Sequence, residues 1–462
     1  MTPYKKRAFK LFFDGARALA EVEANGIRMD VPYLDKTIAE VESKISTLEL
    51  QLEDFALAKK WRNIYGVKTN YGSPVQMSKM LFEEMGYQSP ETTASGRYKT
   101  DEKTLVKLND PFVNNYLEVK KLQKILTTYL KGIRREVVDG YLHPFFNLHT
   151  TRTFRSSSNA PNFQNLPVRN PELGRMVRRA FIAREGRHLV EVDYSGVEVC
   201  IAACYHKDPT MVEYIKDKSK DLHRDMATEC FCLPASEMID PVDDSDKKRI
   251  KRIRYCGKNM FVFPQFYGDW YRDCAKALWG AVNSLDLKLR DGTSLKSHLA
   301  KLGFKNLKKY EGHIQRIETD FWEKRFPVYT QWKKSILKQY WRDRYLVTKT
   351  GFVVQGEMRK NEVINYPVQG TAFHCLLRSL SWIVLEELKH RKMNTLIVGQ
   401  IHDSIVADVP AEELSDFLGL VRYVMTERLP RAWDWINVPL DVEAEVAPLN
   451  GSWADKKAVD EE

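Results

Sequence analysis

The sequence predicts an α+β protein. Three observations carry that expectation: two long helical stripes in the first third, an alternating strand pattern around residue 190, and a pair of apolar strand patterns over residues 394–409. At 462 residues the chain exceeds a single small core, so about two or three modules are expected.

From Leu34 the apolar residues Leu34, Ile38, Val41, Ile45, Leu48, Leu52 and Phe55 recur at steps of four and three, which places them on one face of a long helix. A second stripe runs through Phe112, Tyr116, Val119, Leu126, Tyr129 and Ile133. Two such stripes can pack antiparallel, with a smaller insert between them that opens at Ser73-Pro74 as cap and first helical residue. Coiled-coil dimerisation competes for the first stripe, but roughly three heptads is the minimum for it, so an intramolecular pair is preferred. In HLVEVDY, Val190, Val192 and Tyr194 alternate with Glu191 and Asp193, the period of a strand, and helical sequence follows directly. Residues 206–345 read mainly as helices with charged connections. Residues 394–409 (NTLIVGQIHDSIVADV) read as two strands joined by a tight turn at His402-Asp403, and the acidic tail after Trp453 is expected to fray.

Lysine and arginine outnumber aspartate and glutamate by 72 to 62, a net charge of +10. That excess favours an anionic partner without naming it, and solubility alone is its ordinary meaning. The seven cysteines are odd in number and form no paired CxxC or Cys/His ligand spacing, which argues for a reducing compartment and against a disulfide scaffold. No apolar run reaches bilayer length and the start lacks a leader pattern, so a soluble, cytoplasmic protein without membrane contact is expected.

Asp193 and Asp403 fall at the ends of apolar strands. Clustered carboxylates beside a buried sheet need a partner, and a divalent cation is one; taken singly, each reads as a turn or cap residue. Between Lys247 and Tyr267, KKRIKRIRYCGKNMFVFPQFY concentrates cations behind Asp243, Asp244, Ser245 and Asp246, which suit a helix N-terminus. Arg254 and Lys258, four apart, share a face that can grip a triphosphate with a guanidinium fork and a point charge. A solvated basic face is the usual meaning of such a run, and the aromatic end Phe266-Tyr267-Gly268 argues against it.

Asp193-Tyr194-Ser195-Gly196-Val197-Glu198 and Gln400-Ile401-His402-Asp403 resemble motifs A and C of family A DNA polymerases. Thr153-Phe154-Arg155-Ser156-Ser157, running into Pro161-Asn162-Phe163-Gln164-Asn165-Leu166-Pro167, is similar to that family's minor-groove segment. Asp221-Leu222-His223-Arg224 resembles its fingers segment, Asn365-Tyr366-Pro367-Val368-Gln369-Gly370 its template-contacting helix, and the basic helix its motif B. The ordered motifs reach from about Leu19 almost to Trp453. They imply a right-hand polymerase fold with helical thumb, antiparallel-sheet palm and helical fingers: lead-in 1–33, thumb 34–140, first palm part 141–205, fingers 206–345 with the motif B helix at about 246–268, and second palm part 346–462. The family usually carries an exonuclease domain ahead of the thumb. This chain begins where the thumb approach begins, so no proofreading is expected, and compactness with variant motifs fits a phage or other virus.

The activity implied is template-directed addition of dNTPs to a primer by two-metal phosphoryl transfer, with ions about 3.5–4 Å apart. The resemblance makes Asp193 and Asp403 the catalytic metal ligands, joined by the carbonyl of Tyr194, with Mg²⁺ preferred and Mn²⁺ able to substitute. It gives the triphosphate to His223, Arg254 and Lys258, the sugar to Phe263, and the templating base to Tyr267. Glu198 blocks a 2′-hydroxyl and bonds Tyr267. Arg155, Gln164, Asn165, Asn365 and Gln369 contact primer-template DNA through minor-groove acceptors, and His402 sits by the primer end. Primer-template DNA and dNTPs are thus the partners of an expected monomer, with room for a processivity factor. No side chain is assigned as general base.

Three departures stand out. Lys258 to Tyr267 holds one residue more than the family spacing, which in a regular α-helix would turn Phe263 and Tyr267 away from Arg254 and Lys258. A π-bulge absorbs it, and Pro264, unable to donate to the carbonyl of Met260, places the distortion between Met260 and Phe263. Ser404 replaces the third acid of His-Asp-Glu, so that acid's role is lost or passes to water, and Asn361 stands where arginine is expected. A single-subunit RNA polymerase is the alternative reading, opposed by Glu198; a catalytically silent nucleic-acid-binding protein is another, opposed by the retained aspartates.

Overall fold

The structure, a computed structural model, describes residues 3–88, 92–93, 95–166 and 171–459. Pro167 of the proposed minor-groove segment, residues 1–2 of the lead-in and residues 460–462 of the tail lie outside the described residues. After helix α1 (Pro3–Asn25), the first predicted stripe forms α2 (Val31–Asp54), begun by Asp30, whose carboxylate accepts from Tyr33 N. Its partner α3 (Pro111–Lys124) is capped by Asp110 and continues through a π turn, Ile125–Leu130, to Glu136. The two run antiparallel: Gln123 donates to Glu49 (2.8 Å), while Lys131 pairs with Glu42 (2.5 Å) and Arg134 with Asp35 (2.6 Å). In the insert between them, Ser73 accepts from Gln76 N and Pro74 opens the helix, as its sequence predicts.

A five-stranded antiparallel sheet forms the centre. Its strands are β1 (Arg187–Tyr194), β2 (Leu396–Ile401), β3 (Ser404–Pro410), β4 (Val442–Val446) and β5 (Lys457–Ala458), in spatial order β5-β4-β1-β3-β2. Alternation along β1 sends Val190, Val192 and Tyr194 into the core, where the Tyr194 hydroxyl meets Ser379 Oγ (3.2 Å) and donates to the Met425 carbonyl (3.1 Å). Ser379 belongs to α11 (Lys360–Trp382), which packs against α1. Glu191 and Asp193 leave the other face.

The C-terminal segment departs from the expected fraying. Trp453 is buried, stacks on Phe163 at 5.6 Å, and begins a short 3₁₀ turn that leads into β5. Aromatic burial together with the ion pairs of Lys456 holds it down.

The central third is helical, as its composition predicts: α4 (Val197–His206), α5 (Leu222–Cys230), α6 (Asp244–Gly257), α7 (Phe263–Tyr267), α8 (Tyr271–Ser284), α9 (Leu307–Asp320) and α10 (Pro327–Asp343). Helix α6 starts at Asp243, which accepts from Asp246 N, and between α6 and α7 lies a π turn, Lys258–Val262, closed by Phe263 N donating to Lys258 O. The distortion therefore opens at Lys258 rather than Met260. A wide turn that closes on Phe263, next to the proline, has to begin five residues earlier. All seven cysteines are free, and among the described residues no helix is long and apolar enough to cross a membrane.

Candidate active site

Antiparallel pairing brings the two aspartates together. Asp193 is the Cα partner of Ser404, the residue after Asp403, and Tyr194 N donates to the Asp403 carbonyl at 3.3 Å. Asp403 lies in the turn just outside the paired strands, and its charge acts on the Asp193 carboxyl at the same end of the sheet. Desolvation first, then the charges of Asp403, Glu191 and Glu443, pushes the Asp193 carboxyl up to about 7. Desolvation likewise raises Asp403 to about 6 against the opposing pull of Arg155. Asp403 Oδ1 is buried without a hydrogen-bond partner among the described residues; Arg155 Nη2, 3.8 Å away, is too far to donate.

The turn itself is pinned by a buried amide. Gln400 Oε1 accepts from Ser156 Oγ and from Gln164 Nε2, each at 2.7 Å, while Gln400 Nε2 donates to the His402 carbonyl at 2.7 Å. This holds His402 at φ 48°, a left-handed conformation strained for a non-glycine residue. Gln164 is 8% exposed, and its amide donates to Gln400 and Ser156, which braces the turn. Asn165 next to it is exposed.

Gly196, at φ 61°, turns the chain from β1 into α4 and carries Glu198 into the first helical turn. There Glu198 Oε2 accepts from the Tyr267 hydroxyl at 2.7 Å, and Oε1 pairs with Arg155 Nη1 at 3.3 Å. A cavity of about 460 Å³ is lined by these three side chains together with Phe263, Asn365, Gln369, His402 and Asp403, which gathers most of the residues singled out from sequence. Burial and the nearby Arg155 charge lower the His402 imidazole below its usual value.

The π turn does what the spacing requires. Lys258 Nζ lies 5.1 Å from the Phe263 ring centre, and Phe263 meets Tyr267 edge-on at 6.4 Å. From α5, His223 packs edge-on to Phe263 at 5.6 Å; its Nδ1 is buried without a hydrogen-bond partner among the described residues, and burial with the Arg254 charge lowers the ring to about 4. Asp221 caps α5 by accepting from His223 N and Arg224 N, and takes Arg254 Nε at 2.5 Å. Asn361 sits against Gly268, whose φ of 89° ends α7; its Nδ2 lies 3.5 Å from the Gly268 carbonyl. The sequence patterns name Gln400 and Glu191 but give neither a role in the site. Glu191 was readable in principle, since period two puts it on the face of Asp193.

Helices α5 and α6 touch at Gly257, where an added Cβ would stand 2.6 Å from the His223 carbonyl oxygen and 2.7 Å from Ala227 Cβ. Gly257→Ala is expected to cost about 1–3 kcal/mol and to shift His223 against Arg254. Urea unfolding measures it, and unchanged stability would show that the contact is looser than described.

The helical pair, the antiparallel sheet bearing both aspartates and the helix that brings Phe263 and Tyr267 to the cavity of Asp403 define a right-hand polymerase fold. Residues 34–257 and 309–455 match the model of DNA polymerase family A, and the chain belongs to that family. The first match ends at the residue before the π turn. Thermostable DNA polymerase I of Thermus aquaticus is 30% identical over 441 residues, covering 92% of this chain and 46% of that protein. DNA polymerase I of Lactococcus lactis subsp. cremoris is 28% identical over 435 residues, covering 93% and 44%. The chain thus spans about half the length of the curated relatives it matches. Among solved structures, the POL domain of Pol1 from M. smegmatis, in complex with DNA primer-template and dNTP, superposes with a TM-score of 0.70 at 24% identity, covering 96% of this chain and 70% of that one; it bears on the fold alone.

Proposed function

We propose that this chain is a template-directed DNA polymerase that joins dNTPs to a primer 3′-hydroxyl, with two Mg²⁺ ions held by Asp193, Asp403 and the Tyr194 carbonyl. The observation that carries the reading is the placement of Asp193 and Asp403 at the same end of the sheet, beside the cavity containing the Tyr267–Glu198 pair. The residues suit hard cations: two carboxylates whose pKa values burial and crowding raise, and one buried oxygen, Asp403 Oδ1, without a donor among the described residues. When bound, the cations neutralise charge developing on the attacking and leaving oxygens. Mn²⁺ is expected to replace Mg²⁺.

The protein's own groups do the positioning. Lys258 and Arg254 supply fixed positive charge for the triphosphate, and His223, kept neutral by its surroundings, offers a hydrogen bond. Arg254 is held in readiness by Asp221. Phe263 packs the sugar and Tyr267 the templating base. The carboxylate of Glu198, tied to both Tyr267 and Arg155, cannot swing aside to admit a 2′-hydroxyl. Arg155, Asn165, Asn365 and Gln369 meet minor-groove acceptors of primer-template DNA, with Gln164 behind them as a brace, and His402 meets the primer end. Proton removal needs no dedicated base where electrostatics and orientation carry the step.

Primer extension with Mg²⁺ tests the reading, comparing dNTPs with rNTPs. Extension with dNTPs is expected. Equal use of rNTPs by the wild type would favour a single-subunit RNA polymerase. Glu198→Ala is expected to raise rNTP use relative to dNTP by about tenfold or more while slowing dNTP addition.

A further inference from the structure

Glu191 stands two residues before Asp193 on β1, so both carboxylates leave the same face of the sheet. At position 404, where the family resemblance places a glutamate, this chain has serine, and Ser404 Oγ donates to Glu191 Oε1 at 3.0 Å. An acidic group thus remains next to the aspartates, carried by the neighbouring strand. Glu191 Oε2 accepts from Trp453 Nε1 at 2.9 Å and from Lys456 Nζ, and Lys456 also pairs with Glu445 at 2.5 Å. With three donors already on its oxygens, Glu191 is no ligand. Its charge nonetheless acts on Asp193, and the opposite charge of Lys456 is held against it.

We propose that Glu191 and Lys456 are a pair of positioning residues that set the divalent-cation affinity of the Asp193–Asp403 site, Glu191 raising it and Lys456 lowering it, with Ser404 fixing Glu191 against the catalytic turn. The C-terminal segment thereby tunes the site through a contact with Glu191, 265 positions back in sequence. This inference rests on the polymerase reading of that site.

Mn²⁺ binding to the whole chain, followed by the loss of free-ion paramagnetic resonance without DNA or nucleotide, tests it. Glu191→Gln is expected to weaken binding about threefold or more, and Lys456→Gln to tighten it by a similar factor. A network that merely braces the fold would move both variants the same way or neither, and either result overturns the proposal. Glu191→Asp, which keeps the charge and shortens the reach to Ser404, should stay within about twofold of wild type; weakening equal to that of Glu191→Gln also overturns it. Should the Glu191 variants fail to fold, Lys456→Gln decides alone by whether binding tightens. Asp403→Asn separates the two levels: if it binds Mn²⁺ as well as wild type, the polymerase reading of the site fails, whatever the Glu191 and Lys456 variants do.

Discussion

Asp403→Asn is expected to lower primer extension at saturating Mg²⁺ and dNTP by at least about 10³-fold, about 4 kcal/mol of transition-state stabilisation. The amide offers one oxygen and no charge, whereas the aspartate supplies a buried oxygen that lacks a donor among the described residues. The same change should raise metal-free stability. Both carboxyls titrate above their ordinary range in the folded protein, Asp403 at about 6 and Asp193 at about 7. A raised folded value means that the folded state holds the proton more tightly. The stability these groups contribute is therefore complete below about pH 4 and is lost as pH rises through 6 to 7. In EDTA at pH 8 the asparagine variant should melt about 1–3 °C higher than wild type. Because Mg²⁺ competes with those protons, its stabilisation of the wild type should grow from pH 6 to pH 8 and be largely absent from the variant. Melting curves that show no metal effect at either pH would contradict this account.

Lys258→Ala should lower kcat/KM for dNTP by about 10²-fold, about 2.7 kcal/mol, through loss of a charge-assisted contact to the triphosphate. The π turn gives the prediction its shape. It brings Lys258 onto the side of Phe263 and Tyr267, with its ammonium 5.1 Å from the Phe263 ring, where a regular helix would turn it away. Single-nucleotide incorporation resolves the loss into KM and kcat. A fall confined to KM marks contact equal in ground and transition states, and a fall in kcat marks contact that tightens as the phosphoryl group moves. Unaltered kcat/KM would place Lys258 on a solvated face.

Local chemistry explains what the sequence made legible. Strand β1 was readable because Val190, Val192 and Tyr194 alternate with acids. The π turn was readable because Pro264 cannot complete a regular helix, although its starting residue followed from where the turn had to close. The aspartate pair was readable from the motifs, and its adjacency from nothing shorter than the pairing of β1 with β3. Residues whose meaning depends on distant partners escaped. Gln164 carries donors suited to a groove, and its amide donates to Gln400, 236 positions away. Lys456 fell in the tail expected to fray after Trp453, and the anchors of Trp453 and Lys456 on Glu191 lie 262 and 265 positions back. No periodicity or spacing in a window of 20 residues carries such information.

The central claim is that Asp193 and Asp403 jointly hold the ions at which the primer is extended. Anomalous diffraction from crystals grown with primer-template DNA, a non-reactive dNTP analogue and Mn²⁺ tests it most directly. Two manganese peaks flanked by the carboxylates of Asp193 and Asp403, next to the triphosphate, are the predicted result; a bound nucleotide with manganese absent from that pair, or held by other side chains, would contradict it.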